Sequence, residues 1–281
     1  MELQLKNRLL LLAAISLTIS SCEKTYFPSP EHSISQRFSQ SMDWNESHPY
    51  MEIAVQSEDY SILFTGDSHV GSTNNLEKFF SIAKESNASA VVMVGDLTNG
   101  KAEDYPVIDQ CLQQKDSLLT FFSVGNHDLW SSSGWIEFFT RFGPSCYLFT
   151  VKSPAATDLY ISLDSGSDTF GPDQIEWLTY ILQTIRPECR HCMVFTHVNL
   201  FRVRHTLSTN FLVEELDLLV ELFTKNNVDA VITGHDHEQD EMAFGTTTYI
   251  QVPALMDGFS NAGFLEVFVR NDDIDFKFDK I

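Results

Sequence analysis

Residues 61–69 read Ser-Ile-Leu-Phe-Thr-Gly-Asp-Ser-His, and residues 90–96 read Ala-Val-Val-Met-Val-Gly-Asp. Each is a short apolar run rich in β-branched or aromatic side chains, stopped by a glycine and followed by an acid. That is the pattern of a buried strand ending in a turn. Between them, Leu76, Phe79, Phe80 and Ala83 are spaced to share one face of a helix over 74–86. A second helical stretch, from about Glu103 to Lys115, leads into a third apolar run, Leu118 to Val124. Strand, helix, strand, helix, strand predicts an α/β fold with its first strands parallel, because parallel neighbours need a crossover between them.

Further along, the same reading predicts an aromatic helix near Trp135 to Phe142, strands at Tyr147 to Val151 and Leu159 to Asp164, and a helix opened by Gly171-Pro172. Ile175, Leu178, Ile181 and Leu182 give that helix an apolar face. A strand at Met193 to Thr196, a helix at Leu212 to Thr224 and a strand at Ala230 to Thr233 follow. The end of the chain reads as antiparallel β-structure around 242–244, 247–252, 263–269 and 274–278.

Upstream, Lys6 and Arg8 precede an apolar run from Leu9 to Ile19, then Ser20, Ser21 and Cys22. The run is shorter than the ~20 residues a stable membrane helix needs, so 1–21 is expected to be a cleaved leader. Ile19-Ser20-Ser21-Cys22 resembles the bacterial lipobox, which implies a lipidated Cys22 and an exported, membrane-anchored lipoprotein of a bacterial cell envelope. Residues 22–57, rich in Ser, Pro, Gln and Glu, are expected to be a flexible tether, leaving 58–281 as one folded domain. At 43% hydrophobic and 20% charged, the 281 residues are ordinary for a globular chain. The formal charge of −21 disfavours nucleic acid as a partner and suits a small anionic substrate held at a metal cation. Cys111, Cys146, Cys189 and Cys192 are too few and too unevenly spaced for a disulfide framework. The Cys189/Cys192 pair is expected to be structural.

The chemistry is concentrated where the strands end: Gly66-Asp67-Ser68-His69, Gly95-Asp96, Gly125-Asn126-His127-Asp128, Thr196-His197 and Gly234-His235-Asp236-His237. In open α/β sheets, ligand sites gather beyond the carboxyl ends of strands. Asp67 and His69 are two apart, as are His235 and His237, so in extended backbone each pair would share a face. Asp96 has two carboxylate oxygens with which to bridge two cations, and Asn126 adds a neutral ligand. Two dications ~3.5–4 Å apart would acidify a water and stabilise both oxygens of an in-line displacement.

This ordered set resembles the calcineurin-like metallophosphoesterase superfamily, over the stretch from Asp67 to His237. The resemblance implies a four-layered αββα sandwich of two mixed β-sheets flanked by helices. It implies Asp67, His69, Asp96 and His237 on one metal, and Asp96, Asn126, His197 and His235 on the other. It further implies His127 beside the substrate as donor or acid, with Asp128 orienting its ring. Two departures, Leu97-Thr98-Asn99 without a following Arg and Asp128 in place of Glu, argue against a protein serine/threonine phosphatase. Mixed O and N ligation suits manganese, iron or zinc alike.

Arg202, Arg204 and His205, in the loop after His197, and Asn99 are candidate contacts to a small phosphorylated substrate. Trp130, Trp135, Phe138 and Phe139 are expected to be core. The expected activity is hydrolysis of a phosphomonoester or phosphodiester; a silent binding protein on the same fold, or less favourably a nuclease, are the alternatives.

Overall fold

The computed structural model describes residues 32–113, 118–201 and 211–281. Its helices are α1 (Ile34–Ser47), α2 (Asn74–Glu85), α3 (Tyr105–Gln113), α4 (Gly134–Phe142), α5 (Gly171–Thr184) and α6 (Val213–Lys225). Its strands are β1 (Met51–Ala54), β2 (Asp59–Thr65), β3 (Ala90–Val94), β4 (Thr120–Ser123), β5 (Tyr147–Lys152) and β6 (Thr157–Ser162), then β7 (Cys192–Phe195), β8 (Ala230–Thr233), β9 (Asp240–Phe244), β10 (Thr247–Gln251), β11 (Gly263–Arg270) and β12 (Asp273–Lys280).

The strands form two mixed sheets. One runs β12-β11-β2-β3-β4 and the other β1-β5-β6-β7-β8-β10-β9. As expected, β2, β3 and β4 pair in parallel, with Phe64 opposite Val92 and Val92 opposite Phe121. The last two strands return to the first sheet, β11 lying antiparallel against β2.

Strand alternation assigns each layer its side chains. Ile62, Phe64, Val92 and Val94 point between the sheets, where they meet Phe149, Tyr160, Phe195 and Ile232. Leu63, Val91 and Met93 point the other way, beneath Phe79, Ile108 and Phe138 of the covering helices. Ile161, Val194 and Val231 likewise lie beneath Leu178, Leu182 and Phe223 of α5 and α6. The result is the helix–sheet–sheet–helix layering implied by the sequence resemblance.

The N-terminal region departs from expectation. The folded body begins well before residue 58, because α1 and β1 occupy half of the expected tether. Ser33 and Gln36 cap α1 reciprocally, the Ser33 hydroxyl accepting from Gln36 N and the Gln36 side-chain Oε1 from Ser33 N. The helix buries Arg37 and Ser41, and β1 extends the larger sheet in parallel with β5, burying Ile53. Polar residues on the inward face of α1 gave it the composition of a linker. Cys22 and the rest of 1–31 lie outside the described residues.

The four described cysteines are free thiols. Burial raises the Cys189 thiol above its ordinary value and the Cys192 thiol well above it, which disfavours thiolate chemistry at this pair.

Candidate metal centre

The loops after β2, β3 and β4 of one sheet meet those after β7 and β8 of the other. Asp67 N donates to Gly95 O at 3.0 Å, His69 N to Asp96 O at 3.1 Å, and Gly234 N to His197 O at 2.9 Å, so neighbouring loops brace one another. The pairs two apart do not lie in extended backbone as anticipated. Asp67, His69, Asp96, His235 and His237 all have positive φ, between 39° and 78°. Left-handed backbone is strained for such residues and persists where the surroundings over-determine it. Glycines make the close approach possible: a Cβ on Gly125 would lie 2.1 Å from Asp96 N, and one on Gly234 would lie 2.6 Å from an Asp67 carboxylate oxygen.

Around this scaffold all seven expected ligands converge. In the first group, His237 Nε2 lies 3.3 Å from Asp67 Oδ1 and 3.1 Å from His69 Nε2, which is 3.8 Å from the same carboxylate oxygen. In the second, His197 Nε2 lies 3.3 Å from Asp96 Oδ2, 3.1 Å from Asn126 Oδ1 and 3.1 Å from His235 Nδ1. Asp96 Oδ2 is also 3.7 Å from His69 Nε2, so it lies between the groups.

Four of these side chains, His69, His197, Asp67 and Asp96, are held from behind. His69 Nδ1 is 3.2 Å from Thr98 O and His197 Nδ1 is 2.8 Å from Val94 O, which fixes both tautomers with Nε2 facing the centre. His235 N donates to Asp67 Oδ2 and His127 N to Asp96 Oδ1, each at 2.8 Å. Asp67 Oδ1 is left buried without a hydrogen-bond partner. Imidazole nitrogens aimed at one another beside an orphaned buried carboxylate oxygen are the donor set a cation would satisfy.

Electrostatics agree with the geometry. Burial works against the Asp96 charge, but His197, His69 and His127 outweigh it and hold its carboxyl well below the usual range. Asp67 is held low in the same way by His237 and His197, again against burial. Burial opposes protonation of His197, yet Asp96 pushes it up to about 10. The acids are thus ready as ligands, while His197 carries a proton that a cation would displace.

His127 stands at the edge of the centre, its Nε2 3.9 Å from Asp96 Oδ2, and burial holds its imidazole below its ordinary value. Its ring stacks on Trp130 with centroids 3.6 Å apart. Trp130 was assigned to the core, whereas Trp135 and Phe138, also expected there, are buried. Asp128 does not orient His127. Its carboxylate turns back to accept from Leu97 N (3.3 Å), Thr98 N (3.0 Å), the Thr98 hydroxyl (3.1 Å) and Gly125 N (3.0 Å). Residues 127–129 form a tight 3-10 turn, which directs neighbouring side chains apart. Asn99 commits its amide NH2 to His69 O and Val70 O, leaving no donor there for a phosphate. Arg202, Arg204 and His205 lie outside the described residues.

Comparison with known proteins gives the same reading. A family model for the calcineurin-like phosphoesterase matches residues 60–239. A curated relative, a transmembrane protein with metallophosphoesterase domain from Danio rerio, is 32% identical over 88 residues, 29% of this chain and 20% of that one, so the match spans a fifth of the relative's length. The fold resembles a dimetal phosphatase from Danio rerio (TM-score 0.61, 12% identity, 78% of this chain and 95% of that one). It also resembles the anchor in the inner membrane complex of Plasmodium (TM-score 0.63, 12% identity, 79% of this chain and 84% of that one). At such identities these two show shared architecture alone. The family match, covering most of the folded body and all the converging loops, makes this chain a member of the calcineurin-like phosphoesterase family.

Proposed function

We propose that this protein hydrolyses a phosphate ester at a pair of metal ions, one held by Asp67, His69, Asp96 and His237 and the other by Asp96, Asn126, His197 and His235. The observation that carries the reading is the central position of Asp96 Oδ2, within 3.7 Å of His69 Nε2 and 3.3 Å of His197 Nε2. When bound, such ions supply Lewis acidity and a nucleophilic water at neutral pH. The chain's own part is to fix both carboxylates from behind and to orient the imidazoles through Thr98 O and Val94 O. His127, at the edge of the centre and stacked on Trp130, would donate to a phosphoryl oxygen or protonate the leaving group. Manganese, iron and zinc all suit the donor set. The substrate is a small phosphorylated molecule, and the acidic chain disfavours nucleic acid. The resemblance of Ile19-Ser20-Ser21-Cys22 to a lipobox supports an envelope lipoprotein working at a membrane surface.

Hydrolysis of p-nitrophenyl phosphate and of bis-p-nitrophenyl phosphate by the full-length protein, after chelation and again with manganese, iron or zinc restored, tests the proposal. Metal-dependent turnover is expected, and the preferred ester separates phosphatase from phosphodiesterase. Asp96→Asn should abolish most turnover and weaken metal binding, since the bridge loses its charge. Metal uptake without cleavage of either ester would leave a binding protein, and no metal uptake would end the reading.

A further inference from the structure

The family match begins at residue 60, yet the only buried arginine or lysine among the described residues comes from outside it. Arg37 of α1 has no exposed surface and grips Asp164, which follows β6, through two hydrogen bonds: Nε to Oδ2 at 2.7 Å and one Nη to Oδ1 at 3.0 Å. It also reaches the Ser167 hydroxyl at 3.1 Å and His32 O at 2.9 Å. Asp164 accepts in addition from the Ser145 hydroxyl and Gly166 N, and its backbone is clasped by the Gln174 amide of α5. Loop 164–168 is therefore held at many points, with Arg37 at its back.

The front of that loop touches the metal centre. Ser165, fully buried, accepts from His197 N at 3.2 Å and Val198 N at 2.8 Å, and lies 2.7 Å from the Thr196 hydroxyl. One hydroxyl thus fixes the backbone from which His197 projects. Beside it, Gly166 packs so closely on the Asn126 loop that a Cβ would lie 3.2 Å from Gly125 O. His197 and Asn126, adjacent ligands of the second group, are both supported by the loop that Arg37 secures.

We propose that Arg37 is a positioning residue of the metal centre, acting through Asp164 and Ser165 to hold His197 in register with Asp96 and Asn126. The inference rests on the binuclear reading above. A buried ion pair is weak evidence of stabilisation in itself and is better explained by specificity of placement. Here the thing placed is a ligand-bearing loop, which gives α1 a role in the site although it lies far from it in sequence.

Cobalt(II) titrated into metal-free full-length protein and followed by visible absorption tests this in the wild type, Ser165→Ala, Arg37→Lys and the double variant. The wild type should take up two ions. Ser165→Ala should weaken one binding step about tenfold and leave the other unchanged, the scale of losing an outer partner of a ligating His. Arg37→Lys keeps the charge but loses the two-pronged grip, and should shift the same step in the same direction. The double variant should be no worse than the more affected single one, because both act on one chain of contacts. Unchanged binding in either single variant, equal weakening of both steps, or fully additive effects would overturn the inference while leaving the metal centre intact. Absence of cobalt uptake by the wild type would instead remove the binuclear reading and the inference with it.

Discussion

Asp128→Ala separates two roles for a residue adjacent in sequence to His127. If Asp128 oriented the His127 ring, the variant would keep its fold and its metals and lose only turnover. The structure places the carboxylate elsewhere, tying Leu97 and Thr98, just beyond Asp96, to Gly125, just before Asn126. Alanine would strand three buried backbone N–H groups and the Thr98 hydroxyl. Burial and the nearby Asp96 charge raise the Asp128 carboxyl to about 7, so at neutral pH it is only partly charged and its four hydrogen bonds contribute roughly 1–2 kcal/mol each; water entering the space vacated would recover part of this, for a net loss of about 4 kcal/mol. For a domain of this size that corresponds to a fall of about 10 °C in Tm. Asp128→Asn would turn an NH2 group toward one donor pair and should lose about half as much. Thermal unfolding of the metal-free protein and metal content by elemental analysis read both effects. An Asp128→Ala protein with wild-type Tm and full metal occupancy, impaired only in turnover, would refute this reasoning.

Three further outcomes follow from the same geometry. His127→Ala should leave metal content near wild type and lower kcat by about 10²–10⁴, the usual contribution of a positioned acid or base; loss of both metals would contradict its place at the edge of the centre. Metal binding at neutral pH should release protons, because metal-free His197 sits at about 10; affinity should rise toward tenfold per pH unit below that value. The same raised value stabilises the metal-free fold below pH 6.5, a contribution lost as pH climbs through about 10. Calorimetry in buffers of differing ionisation enthalpy measures the release, and none detected at pH 7 would be incompatible with it. Finally, a chain beginning at Gln56 lacks α1 and β1 and strips the partner from the edge of β5; it should be poorly soluble, and a soluble product with unchanged Tm would show that α1 is dispensable.

Sequence reading succeeded where one physical pattern dominated. The strands 61–65 and 90–94 are apolar on both faces because a sheet or helix layer covers each side, so they are legible as unbroken runs. The ligand phrases were legible because each sits where a strand stops. Helix α1 was missed because its inward face presents Arg37, Ser41 and Asn45, whose partners are remote in sequence. The capping pair Ser33 and Gln36 was the available signal. Asp128 was misplaced because adjacency in sequence is not adjacency in a tight turn. Trp130, three residues after His127 in a helical turn, had the spacing that brings side chains together, but aromatic residues nearby drew it into the core. The strained φ values of the ligands left no trace beyond the glycines beside them.

The two sheets contribute unlike halves of the centre. Asp67, His69, Asp96 and Asn126 leave the ends of β2, β3 and β4, while His197, His235 and His237 leave β7 and β8 of the opposite sheet. Loaded metals in the proposed arrangement would therefore rivet one layer of the sandwich to the other at one rim. Any ion that binds only the folded protein adds to stability, by about 2.7 kcal/mol at a hundredfold excess over Kd, and here the gain would oppose sliding of the layers. Substitutions in the core between the sheets would then be felt first as loosened ion retention, so an apparently structural change in Phe64 or Phe195 would surface as a requirement for more metal in the medium.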